Sequence, residues 1–135
     1  MIDLSGSAKK EIEIGDVSLC EDDLKKSEFI LFHTGWSRFW GDDRYFASYP
    51  VLSLDLAEWL TGFGLKGIGV DMISVDPVGS VDFRIHTQFF KNNMGIIENL
   101  TNLDLLLGKN FYFSCLPLKI EKSDGSPIRA VGVLT

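Results

Sequence analysis

The stretch EIEIGDVSL, residues 11–19, alternates apolar and polar side chains and predicts a half-buried strand. The overlapping SLCEDDLKK begins with Ser18 and Glu21 at capping-box spacing, which predicts a short helix. EFILFH is a short apolar run and predicts a buried strand. Over LDLAEWLTGF the period becomes helical: Leu56, Ala57, Leu60 and Phe63 share a face, Ser53 stands where an N-cap belongs, and Gly64 where a left-handed C-cap belongs. KGIGVDM predicts the next strand. Asp82 can cap a helix from about Phe83 to Lys91, with Ile85 and Phe89 facing the core and His86 at the edge of their stripe. MGIIENL is too short for a helix, and its paired isoleucines favour a strand with Glu98 near its end. FYFSCLPLKI and PIRAVGVL flank the turn signal EKSDGS and predict a terminal hairpin. Strands interleaved with helices make an α/β protein, and the hairpin makes its sheet mixed and partly antiparallel.

A length of 135 residues matches one domain, and no repeat, low-complexity tract or linker divides residues 1–135. The formal charge of −6, with no basic run longer than two lysines, would repel a phosphate backbone and argues against nucleic acid. No apolar run reaches membrane-span length, and the opening residues alternate too early for a signal peptide, so a cytoplasmic, membrane-free protein is expected. Cys20 and Cys115 lack metal-type spacing and are expected as idle reduced thiols. The glycines of GFGLKGIGVD precede a strand and lack a following GK[ST], which excludes a phosphate loop.

Four groups of residues carry candidate chemistry. Imidazole and carboxylate are good ligands for a borderline divalent cation, so His86 and Glu98 are candidate metal ligands once folding brings them together. Two ligands do not make a site, and a single histidine at a helix edge is more often a satisfied core or surface residue. The segment from Phe32 to Tyr49 holds seven aromatics in eighteen residues, a density that suits a pocket wall, a subunit interface or core packing under a long loop. Its histidine, His33, ends a predicted strand. Asp71 and Asp76 fall at or just beyond another strand end, where α/β proteins build sites, although Asp76 before Pro77 is also ordinary turn chemistry.

In order along the chain, FHTGWSRFW, RYFASYPVLSLDLAEWL, GIGVDMISVDP, IHTQFFKNNMGIIENLTNLDLL and LPLKIEKSDGSPIRAVGVL closely resemble the cyclase family of metal-dependent hydrolases, which includes bacterial kynurenine formamidase and isatin hydrolase. The resemblance implies a swivelling β/β/α-type mixed-sheet fold and assigns His86 and Glu98 as ligands of a divalent metal, zinc or manganese. It implies hydrolysis of an amide or formamide such as N-formylkynurenine, as in an arylformamidase of tryptophan catabolism, with Trp36, Phe39 and Trp40 shaping an aromatic-substrate pocket. Family members also carry a stretch of the form H-x-G-T-H-x-D-x-P-x-H that provides most metal ligands and an acid/base histidine. No such stretch occurs here. The chain thus resembles the C-terminal two-thirds of the family fold, lacking its N-terminal portion, and the expected metal site is incomplete, with metal weakly bound or absent. The competing expectation is a non-catalytic binding or oligomerisation module, or one subunit of a split enzyme. A homodimer or larger assembly is expected in either case, because a truncated sheet exposes strand edges.

Overall fold

The computed structural model describes residues 1–135. In chain order the elements are β1 (Ile2–Asp3), β2 (Glu11–Ile12), α1 (Ile14–Val17), α2 (Glu21–Leu24), β3 (Phe29–His33), β4 (Val51–Leu52), α3 (Leu54–Leu60), β5 (Gly67–Val70), α4 (Arg84–Lys91), β6 (Gly95–Ile97), β7 (Phe111–Pro117) and β8 (Ile128–Leu134). Strands β1, β3, β5 and β6 lie side by side in that order as a wholly parallel sheet. The β7–β8 hairpin is antiparallel and separate from it, and β2 and β4 form a third, two-residue parallel pairing. The architecture is the expected α/β class, with antiparallel pairing confined to the hairpin. No helix is long and apolar enough to cross a membrane.

Side chains alternate across the parallel sheet and create two cores. Ile30, Phe32, Ile68 and Val70 face α3 and α4, where Leu56, Ala57, Leu60, Ile85 and Phe89 meet them in a 19-residue cluster. On the other face Leu31 and Ile97 join Leu100 and Leu103, and Phe111, Phe113, Ile128 and Ala130 of the hairpin pack against them. The layers are therefore helices, parallel sheet and antiparallel ribbon.

Several local expectations are corrected. The alternating segment at residues 11–19 pairs only over Glu11–Ile12, and Ile14 already starts α1, with Asp16 Oδ2 accepting from the Glu13 amide at 2.9 Å. Gly15 and Asp16 interrupt the alternation, and an acidic side chain positioned to close the first turn favours helix. Ser18 caps nothing: it opens a short 3-10 turn that runs into α2 without a side-chain cap. Ser53 does cap α3, accepting from the Leu56 amide at 3.1 Å, and Gly64 closes the following 3-10 turn at φ 69°. Asp82 does not cap α4. The residue before that helix is Phe83, in the left-handed region at φ 45°, and the Asp82 carboxylate receives the Ser80 hydroxyl instead.

Candidate metal centre

Because β1, β3, β5 and β6 are parallel, their C-terminal ends meet along one edge, and the polar residues that end them gather there. Asp3 is paired with His33 across β1 and β3, with His33 Nδ1 3.0 Å from Asp3 Oδ1. His33 is thereby a satisfied strand-end residue. Asp71 directly follows β5 and is fully buried. Its Oδ1 accepts the amide and hydroxyl of Thr34, while Oδ2 has no hydrogen-bond partner. Glu98 follows β6.

The cap of α4 comes from nine and ten residues upstream of the two amides it satisfies. Asp76, 1% exposed, accepts from the Ile85 amide at 3.0 Å through Oδ1 and from the His86 amide at 3.1 Å through Oδ2. A buried carboxylate at a helix N-terminus satisfies orphan amides and is favoured by the helix dipole. Its Oδ2 also lies 2.7 Å from His86 Nδ1. The imidazole is thus tied on one side, and its Nε2 points to Glu98 Oε1 at 3.3 Å. Contact with Glu98 first, and then with Asp76, holds the His86 pKa above the ordinary imidazole value against the opposing effect of burial. The alignment of Nε2 with Oε1 falls short of a directed hydrogen bond, and Oε1 stays buried with no hydrogen-bond partner. The rings of Phe83 and Phe90 stand edge-on to the imidazole, with centroids 5.7 and 5.8 Å away.

His86 and Glu98 therefore meet, with Nε2 and Oε1 3.3 Å apart. Donors bound at ~2.0–2.1 Å to one tetrahedral zinc lie about 3.3 Å apart, so the observed spacing and the orphaned Oε1 both fit a shared cation. No cluster of three or more histidine, cysteine, aspartate or glutamate side chains suited to a metal is present.

The aromatic segment divides between core and surface. Phe32, Tyr45 and Tyr49 are buried. Trp36 is half-buried and donates its indole N–H to the Tyr45 carbonyl at 3.0 Å, and its ring packs edge-on against Phe39. Phe39 lies under the guanidinium groups of Arg38 and Arg44, each 4.7 Å from the ring centroid. Trp40 is 69% exposed and rests on Tyr45. The segment connects with the centre through the Tyr45 hydroxyl, which donates to Asn99 Oδ1 at 2.8 Å, next to Glu98. Phe83 and Phe90 as partners of His86 had a signal in the sequence, the spacing of three residues before and four after it on the helix expected from Phe83 to Lys91.

Residues 1–77 match the model of the family described as "Putative cyclase". The chain is 38% identical over 112 residues to an uncharacterized protein of Methanocaldococcus jannaschii, an alignment covering 82% of this chain and 56% of that one. It is 40% identical over 82 residues to the kynurenine formamidase of Bacillus mycoides, covering 61% of this chain and 39% of that one. A solved isatin hydrolase bound to the product analogue thioisatinate superposes with a TM-score of 0.84 at 26% identity, covering 99% of this chain and 58% of that one. The chain belongs to this cyclase family of hydrolases. It spans between two fifths and three fifths of the length of these relatives.

Proposed function

We propose that the chain supplies part of the metal centre of a cyclase-type hydrolase that acts on an amide or formamide such as N-formylkynurenine. The observation that carries this reading is the pair of ligand atoms, His86 Nε2 and the orphaned Glu98 Oε1, 3.3 Å apart at the C-terminal edge of the parallel sheet. Buried polar atoms are nearly always partnered, and an exception at a sheet's carboxyl edge calls for a ligand. A bound divalent cation supplies activation of water and polarisation of a carbonyl. His86 and Glu98 hold the cation; zinc and manganese both accept such mixed nitrogen and oxygen ligands. We place the aromatic group of the substrate against the surface of Trp36, Phe39 and Trp40, a reading supported by the exposure of Trp40 and the Tyr45–Asn99 link to the centre. No acid/base histidine beyond His33 and His86 exists in the chain, and both of these imidazoles are engaged. The chain alone is therefore expected to bind metal weakly and to turn over N-formylkynurenine poorly or not at all. Robust hydrolysis by the purified chain, abolished in His86→Ala, would overturn the view that the catalytic machinery is incomplete here.

The alternative, a non-catalytic oligomerisation module, draws support from the terminal ribbon. Tyr112, Leu116, Val131 and Val133 lie exposed on its outer face, and each of its strands has a single partner. We propose a second copy of the chain as the occupant of that face. A cytoplasmic setting is proposed as well, supported by two cysteines that remain free thiols.

A further inference from the structure

We infer that Asp76 is a positioning residue, whose carboxylate keeps the proton of the neutral His86 ring on Nδ1 and so turns the Nε2 lone pair toward Glu98. The inference rests on the proposed metal site and identifies what prepares it.

The geometry leaves Asp76 little freedom. It is buried and ordered by three donors, the amides of Ile85 and His86 and the His86 ring. Rotating the carboxylate to release the ring would also break a hydrogen bond donated by an amide at the start of α4. An ionised carboxylate is an acceptor only, so a neutral ring 2.7 Å away must present N–H at Nδ1. The opposite tautomer would set lone pair against lone pair. Phe83 and Phe90 flank the ring and restrict its rotation. With the proton fixed on Nδ1, neutral His86 presents a lone pair at Nε2, 3.3 Å from the unpartnered Glu98 Oε1. Two electron-rich atoms held face to face in this way prepare a cation site. Carboxylate partners of ligating histidines act generally in this manner, fixing tautomer and orientation.

The test uses the full chain, ¹⁵N-labelled and metal-free, at a pH where His86 is neutral. Long-range ¹H–¹⁵N spectra distinguish a protonated ring nitrogen from one with a lone pair, and zinc titration of the same samples gives affinity. Wild type is expected to show a protonated Nδ1 and a free Nε2. Asp76→Asn places an amide group opposite the ring and the helix amides; it is expected to raise the Nε2–H population and to weaken zinc binding by about 10–100-fold. Ser80→Ala removes an acceptor of the Phe83 amide without touching the ring, so it perturbs the start of α4 but should leave the tautomer unchanged. A wild-type ring carrying its proton on Nε2 would overturn the inference even if Asp76→Asn fails to fold. So would an unchanged tautomer and zinc affinity in a folded Asp76→Asn. Undiminished zinc binding in His86→Ala would instead defeat the metal reading while leaving the tautomer result intact.

Discussion

Asp71 Oδ1 accepts two hydrogen bonds from one residue, the Thr34 amide at 3.0 Å and the Thr34 hydroxyl at 2.5 Å, and so fastens the end of β5 to the turn leaving β3. Thr34 Oγ1 in turn accepts the Trp36 amide at 3.2 Å, which starts the aromatic segment. Asp71→Ala strands two buried donors and is expected to destabilise the fold by about 2–4 kcal/mol. Urea unfolding measures the loss, and near-ultraviolet circular dichroism should show Trp36 loosened. A loss below about 0.5 kcal/mol would mean that the Thr34 turn does not depend on this carboxylate.

The register between β5 and β6 sets where Glu98 stands, and Gly67 permits that register. A Cβ added at Gly67 would lie 2.6 Å from the Gly95 carbonyl oxygen and 3.0 Å from the Phe29 ring, so the backbone of β6 would have to move. Gly67→Ala is expected to cost about 1–3 kcal/mol in urea unfolding and to weaken zinc binding by displacing Glu98. Gly62→Ala meets nothing within 4 Å and serves as the silent control.

Alkaline pH tests the packing of Tyr45. Burial, and then the nearby Asp71 and Glu98 carboxylates, raise its phenol from the ordinary 10.0 to about 12. Because the folded-state value is the higher one, the contribution to stability is fully present below pH 10 and is lost as pH rises toward 12. An ultraviolet phenolate titration should show Tyr45 ionising near the top of that window, and Tyr45→Phe should remove that step. Ionisation at the ordinary value in the folded protein would contradict the burial.

Much of the fold was legible because its signals are local. EFILFH and KGIGVDM are apolar runs short enough to be buried strands, and Ser53 and Gly64 bracket α3 with chemistry that needs no tertiary partner. The terminal hairpin followed from its turn composition. Misreadings arose where tertiary context chose among local options. Asp82 adjoins α4 and has the right chemistry for a cap, yet Asp76, across the Pro77–Ser80 loop, is the buried carboxylate that reaches the amides. In the sequence Asp76 falls at or just beyond a strand end, where ordinary Asp-Pro turn chemistry is also a reading. The meeting of His86 with Glu98 depends on the parallel register of β5 and β6, which no periodicity encodes; only the resemblance to the cyclases anticipated it.

The outer face of the ribbon makes self-association measurable. Light scattering at micromolar concentration should give a dimer or larger species, and Val131→Lys should shift it toward monomer by placing a charge in the apolar contact. A monodisperse wild-type monomer would rule out the assembly.

The proposed centre is one imidazole nitrogen and one carboxylate oxygen sharing a cation. Calorimetric titration of the metal-free chain with zinc tests it most directly, using wild type, His86→Ala and Glu98→Gln in parallel. Wild type is expected to bind zinc weakly at one site per chain, lost in both variants while their unfolding midpoints show them folded. Equal zinc binding by all three proteins, or none by wild type at millimolar metal, would contradict it.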